Sequence, residues 1–214
     1  MRMRILAGVL IALLGVNSWR ASSAHVPSLP FYSDSTLTPV WTADTAAVHR
    51  VENFSLVDQR GHPVSELELN GRITVVTFFY ATCKDLCPRL QSKLAAVHAA
   101  FRDDPRVLLV SISVSPEHDT APVLDAYARA NHIEAPDWLL LTGARPAVDR
   151  VARGSFFATM PAVRASPATH GETIWLIDPS RRIRGLYNGT MPLDSKRLME
   201  DIATLAGLNK QRGG

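Results

Sequence analysis

The sequence predicts an α/β domain, and three features carry that expectation. Residues 73–80 and 107–114 are continuous apolar, largely β-branched or aromatic runs, the pattern of strands buried on both faces. Between them, Leu90, Leu94, Val97 and Phe101 recur at three- and four-residue spacing, the stripe of an amphipathic helix. The alternation of strand and helix then repeats toward the C-terminus, as it does in layered α/β folds.

Each element has its own local reason. Residues 54–57 and a short segment near Val64 flank Asp58-Gln59-Arg60-Gly61, which reads as the turn of a β-hairpin. Asp119 or Thr120 is placed to cap a helix carrying Pro122 in its first turn and running to about Asn131. Residues 138–141 form a short strand, and a short helix starts near Pro146 and stops at Gly154. Residues 155–169, with Pro161 and Pro167, read as irregular. Residues 173–178 and 182–187 make a second hairpin around Pro179-Ser180, and Asp194 is the expected cap of a last helix ending at Gly207. Together these elements predict a thioredoxin-like fold: a central mixed sheet flanked by helices, with an N-terminal β-hairpin extension.

Residues 1–24 read as an export leader. Arg2 and Arg4 form a positive start, residues 5–16 an apolar stretch, and Ser22-Ser23-Ala24 a small-residue cleavage site. Those 12 apolar residues are fewer than the ~20 a spanning helix needs; an uncleaved anchor is the other use of such a segment. Residues 25–48, rich in Pro, Ser and Thr, read as a lead-in whose Phe31, Tyr32 and Trp41 can pack back on the domain, which spans 49–210. The chain carries 23 Lys and Arg against 20 Asp and Glu, and Arg2, Arg4 and Arg20 account for the whole excess. The remainder is balanced, so no basic stripe points to nucleic acid or to an anionic membrane surface. The predicted location is periplasmic or otherwise extracytoplasmic, with contact to a membrane only through an uncleaved leader.

Chemistry concentrates at the only two cysteines, Cys83 and Cys87. They fall where a central strand ends and a helix begins, and spacing of four would put both on one face of a helical turn. The positive end of a helix favours the thiolate. That thiolate serves equally as nucleophile or metal ligand. In an oxidising compartment a structural disulfide is the first expectation, yet a loop of so few residues removes little chain entropy.

A third residue bears on the choice. Among seven histidines, His25, His49, His62, His98, His118 and His132 have ordinary turn, loop or packing readings. His170 stands immediately before the strand expected beside the cysteine-bearing one, so its loop faces theirs. Two thiolates and one imidazole make a soft donor set suited to copper, and Cu(I) accepts low coordination.

Three stretches resemble one family. Residues 78–88 resemble a strand followed by C-P-D-x-C-P; residues 110–128, VSISVSPEHDTAPVLDAYA, resemble S-V-D-P-x-x-D-T-P-x-x-L-x-x-Y; and residues 170–179, HGETIWLIDP, resemble H-x-x-x-x-Y-L-I-D-P. These are motifs of the Sco/SenC family, copper-binding thioredoxin-fold proteins of cytochrome c oxidase assembly, and the resemblance covers about residues 50–208. It implies that Cys83, Cys87 and His170 hold one copper, Cu(I) or Cu(II), per chain. It further implies delivery or priming of copper for the dinuclear copper centre of an oxidase subunit, or for another copper protein, with Asp85 orienting or tuning the site. Lys84, where the family has proline, and Ser115, where it has aspartate, depart from the pattern, and the stretch before His170 is shorter.

The rival reading is a thiol–disulfide oxidoreductase using Cys83 and Cys87 as a redox pair on a copper-protein or cytochrome client, with a thiol reductant as partner. Against it, three residues separate the cysteines where redox pairs have two. Glu172 also stands at the place of the substrate-binding cis-proline of thioredoxin relatives. A peroxidase is disfavoured by Tyr80, which occupies the position of that class's threonine. Zinc is disfavoured by the lack of a fourth ligand, and Met160 and Met191 read as packing residues rather than thioether donors. A non-enzymatic metallochaperone is the expectation.

Overall fold

The computed structural model describes residues 29–83, 86–133, 136–158 and 172–208, without the side chains of Leu86 and Cys87. The expected leader, most of the irregular stretch, Met160 and His170 lie outside the described residues. In order, the elements are β1 (Ser55–Val57), β2 (Pro63–Ser65), a 3-10 turn, β3 (Ile73–Phe79), α1 (Leu86–Phe101), β4 (Val107–Ser113), α2 (Ala121–Ala130), β5 (Trp138–Leu141), α3 (Arg145–Arg150) running into a π-helical turn (Val151–Ser155), β6 (Thr173–Ile177), β7 (Ile183–Asn188) and α4 (Pro192–Leu205). The five-stranded sheet runs β5-β4-β3-β6-β7, and β1 and β2 form a separate antiparallel pair. β3 pairs in parallel with β4 and antiparallel with β6, so the sheet is mixed and β3 is central. This is the thioredoxin-like arrangement with its N-terminal hairpin.

The unbroken apolar runs follow from burial of both faces. Along β3 and β4, Ile73, Val75, Phe79, Val107 and Leu109 pack with α1, α2 and α4 through Leu90, Leu94, Leu124, Leu198 and Ile202. The alternate residues Val76, Phe78, Leu108, Val110 and Ile112 pack with the hairpin through Leu56 and Val64, with α3 through Val148, and with Phe156 just past the π-helical turn. A strand's two-residue side-chain period feeds both cores from one run.

The hairpin turn is organised by Asp58, whose Oδ1 accepts the N–H groups of Arg60 at 2.8 Å and His62 at 2.9 Å. Gly61, at φ 83°, supplies the left-handed step the turn requires. The hairpin is fastened to the sheet by Gln59. Its side chain accepts the Leu140 N–H at 3.0 Å and donates to the Trp138 carbonyl at 3.3 Å.

The lead-in docks on the opposite edge. Tyr32 pairs with Ile183, and the buried Arg184 donates to the carbonyls of Pro30 at 2.9 Å and Leu29 at 2.6 Å. The same guanidinium lies 4.1 Å over the Phe31 ring and 3.2 Å from Asp178. Phe31 is buried and Tyr32 partly so, but Trp41 is 56% exposed and does not pack as expected.

Several boundaries differ from expectation. Asp194 is not the cap of α4: Met191 holds that position, and Asp194 in the first turn accepts the Asn188 N–H at 2.8 Å instead. The helix expected to reach Gly154 is α-helical only to Arg150 before widening into the π-helical turn. Thr120 is the N-cap residue of α2 but makes no side-chain capping bond, and the adjacent Asp119 is engaged elsewhere.

Two outcomes follow. Arg184→Ala leaves Asp178 unpaired and unties Leu29–Pro30; a loss of about 3–5 kcal/mol is expected in chemical denaturation, with faster proteolysis near residue 30. For Asp58, burial pushes the carboxyl up, but the His62 and Arg60 amides and the Arg60 guanidinium outweigh it and hold the pKa below the ordinary carboxylate value. A depressed folded pKa contributes stability that is present above the unfolded value of about 3.9 and is lost as pH falls through the folded value. The stability difference between wild type and Asp58→Asn should therefore shrink as denaturation is measured from pH 7 toward pH 3.

Candidate metal centre

The cysteine loop leaves the C-terminal end of the central strand. The last backbone bond between β3 and the β4 chain is Val114 N–H to the Phe79 carbonyl, at 2.8 Å. Beyond it the chain turns: the Cys83 N–H bonds the Tyr80 carbonyl at 3.2 Å, closing a four-residue loop ahead of α1. Cys83 is partly buried and packs against the core beneath α1. Helix α1 is described from Leu86, with Cys83 ahead of it in non-helical backbone and the Cys87 backbone within it. Cys83 itself is therefore outside the helical turn that the spacing suggested. Lys84 and Asp85 lie outside the described residues.

A buried carboxylate stands behind this turn. Asp119 is 0% exposed, and its Oδ2 accepts the Ala81 N–H at 2.9 Å and the Ser113 hydroxyl at 2.6 Å. Its Oδ1 meets the His118 Nδ1 at 2.8 Å. Arg145 secures the same β4–α2 loop from α3, donating to the Val114 carbonyl at 2.8 Å and pairing with Glu117. The Arg145 guanidinium beside it holds the Glu117 carboxyl below its ordinary value. Behind these residues the core face is polar: Ser111 Oγ receives bonds from the Thr77 hydroxyl and the Trp138 indole, each at 3.2 Å.

The entry to β6 lies at the same end of the sheet. The register pairs Val76 with Trp175 and Thr74 with Ile177, so β6 begins where β3 ends. Glu172, the first described residue before β6 and two residues after His170, is tied to the end of β7. Its carboxylate accepts from Asn188 Nδ2 at 2.6 Å and Thr190 Oγ1 at 3.0 Å, and its carbonyl accepts the Gly189 N–H at 2.6 Å. Gly189 is wedged between this strand and α1: a Cβ there would run into the Leu90 side chain and lie 3.2 Å from the Glu172 carbonyl. Met191, in the next turn, is 53% exposed and so is not the packing residue expected.

The described histidines have the ordinary engagements expected of them. His98 pairs with Asp137 at 2.9 Å, His62 faces Asp58, His49 bonds the Ser155 carbonyl, and His132 adopts the left-handed conformation just after α2. Among the described residues there is no cluster of three or more His, Cys, Asp or Glu able to hold a metal. Of the three expected ligands, His170 and the Cys87 side chain lie outside the described residues.

The SCO1/SenC family profile matches residues 42–207. The chain belongs to the SCO1/SenC family. Among its relatives is the SCO1 protein homolog of Bacillus subtilis (strain 168), 23% identical over 163 residues that cover 75% of this chain and 84% of that protein. The chain spans less than half the length of three further relatives, from Arabidopsis thaliana, Rickettsia typhi and Rickettsia prowazekii. The copper-bound crystal structure of Arabidopsis thaliana ScoI matches with a TM-score of 0.62 at 26% identity, covering 73% of this chain and 98% of that one. BsSco, described as a member of the Sco family of cytochrome c oxidase assembly proteins and studied for a disulfide switch, matches the fold with a TM-score of 0.67 at 23% identity, covering 75% and 95%.

Within this SCO1/SenC domain, two residues at the site end carry more than the sequence indicated. Asp119 reads as a helix cap and acts as a tie between two loops. The available signal was that Asp119 and Thr120 compete for one cap, which frees the other. Gly189 gave no sequence signal, because its constraint is the distant Leu90. Gly189→Ala should cost about 1–3 kcal/mol through overpacking and push the β7–α4 turn away from α1. Denaturation together with amide shifts at Leu90 and Glu172 would register both effects.

Proposed function

We propose that this chain is an extracytoplasmic copper metallochaperone. It holds one Cu(I) or Cu(II) through the thiolates of Cys83 and Cys87 and the imidazole of His170. Its client is a copper-receiving protein, with the dinuclear copper centre of a cytochrome c oxidase subunit as the favoured destination. The observation carrying this reading is the shared end of β3 and β6: the Cys83 turn leaves one strand where the segment after His170 enters the other. Two sulfurs and a nitrogen converging there suit copper. Membership of a family that includes copper-bound ScoI and an oxidase-assembly Sco protein supports it. Copper is cargo in this reading, held at the rim of the sheet from which it is passed on.

The location is inferred from the leader-like residues 1–24 and from a Bacillus anthracis SCO1/SenC lipoprotein among the structural neighbours. Among the described residues no helix is long and apolar enough to cross a membrane.

Use of the same thiols as a reductant of the client is the alternative, and Glu172 weighs against it. Where thioredoxin relatives offer backbone to an extended substrate, the Glu172 carbonyl already accepts the Gly189 N–H. Reduction of a client before copper loading is compatible with both readings.

The test is metal content and Cu(I)/Cu(II) affinity of the reduced full chain. One copper per chain is expected, with tight binding abolished in Cys83→Ala and Cys87→Ala. His170→Ala should weaken Cu(II) more than Cu(I), since two thiolates still hold Cu(I). Equal losses for both oxidation states would contradict the ligand set. No bound copper, together with a readily reduced Cys83–Cys87 disulfide, would move the assignment to a thiol oxidoreductase.

A further inference from the structure

We propose that Asp119 is the positioning residue of this copper site, fixing where the Cys83 thiol stands before metal arrives. The inference rests on the copper reading above and adds a residue that is not itself a ligand.

The argument starts from what a buried carboxylate costs. Asp119 is fully buried, and such a group is unfavourable unless its oxygens are bonded. Here both are. Oδ2 takes the Ala81 amide and the Ser113 hydroxyl, and Oδ1 faces the His118 ring. These bonds serve neither α2, whose cap at Thr120 makes no side-chain bond, nor the strand ladder, which stops at Phe79 and Val114. Their effect is to extend the β3–β4 connection two residues past the last strand pair, to Ala81. From there Cys83 is reached by a single turn whose own N–H is bonded back to Tyr80. Ser113, the other partner of Oδ2, belongs to β4 and pairs with Phe79, so the carboxylate bridges the ends of both strands. A ligand turn held in place before binding loses less freedom when metal arrives. Partners one shell outside the metal commonly change affinity by about 10- to 100-fold.

Asp119→Asn and Asp119→Ala separate a tether from a charge. An amide oxygen can accept both bonds that Oδ2 takes, with its NH2 turned to His118, whereas alanine accepts none. In the full chain, Asp119→Ala should lose about 10- to 100-fold in Cu(II) affinity and shift the thiolate-to-Cu(II) charge-transfer absorption, and Asp119→Asn should restore both. Without metal, the Ala81 amide of the wild type should be protected from hydrogen exchange. In a Cys87→Ser background, Asp119→Ala should also speed alkylation of Cys83.

Wild-type affinity and spectrum in Asp119→Ala would overturn the inference while leaving the copper reading intact. So would equal damage in the asparagine variant. If the alanine variant does not fold, an unprotected Ala81 amide in the metal-free wild type overturns the inference and a protected one, with the asparagine variant binding normally, supports it. Failure of the wild type to bind copper at all would fell both.

Discussion

The placement of β3 between a parallel and an antiparallel neighbour governs the rest of the molecule. Parallel pairing to β4 requires a crossover, supplied by α1, so the chain leaving β3 must pass over the sheet at its C-terminal end. Antiparallel pairing to β6 brings the incoming chain to that same end. The Cys83 turn and the segment following His170 are neighbours for this reason, though about ninety positions separate them in the chain. Burial of β3 on both faces fixes the register, since a one-residue slip would exchange one core for the other.

Much of this was legible because it depends on local pattern. The runs at 73–80 and 107–114, the hairpin at Asp58–Gly61 and the stripe from Leu90 to Phe101 encode burial and turning in residue types alone. What escaped depends on partners distant in sequence. Asp194 looks like a cap until Asn188 competes for its carboxylate. Asp119 looks like a cap until the Ala81 amide, 38 residues earlier, is brought against it. Cys83 looks like a helical residue until its N–H, bonded to the Tyr80 carbonyl, places it in a turn ahead of the helix. Around the Cys83 turn, the supporting contacts emerged only from tertiary structure.

The surroundings of the Cys83 turn are organised in graded fashion. Core apolar contacts lie beneath it, a polar strip of Thr77, Ser111 and Ser113 follows, and Asp119 then holds the loop itself. On the other side, Glu172, Asn188 and Thr190 lock the start of β6 to the end of β7. Both approaches to the site are thus tied down by side chains that a ligand search by residue type would pass over. The exposed Met191 lies in the turn next to the second of these locks.

The edges of the sheet carry a further consequence. On β5 the outward groups at Trp138 and Leu140 are taken by Gln59, and Thr142 just beyond them pairs with Val57; on β7, Ile183 pairs with Tyr32 while Arg184 straps Leu29 and Pro30 alongside. A partner arriving as an extended strand finds these positions filled, which hinders edge-to-edge pairing of copies there. The chain thus occupies part of both edges itself, whereas the turn carrying Cys83 leaves the sheet from its central strand.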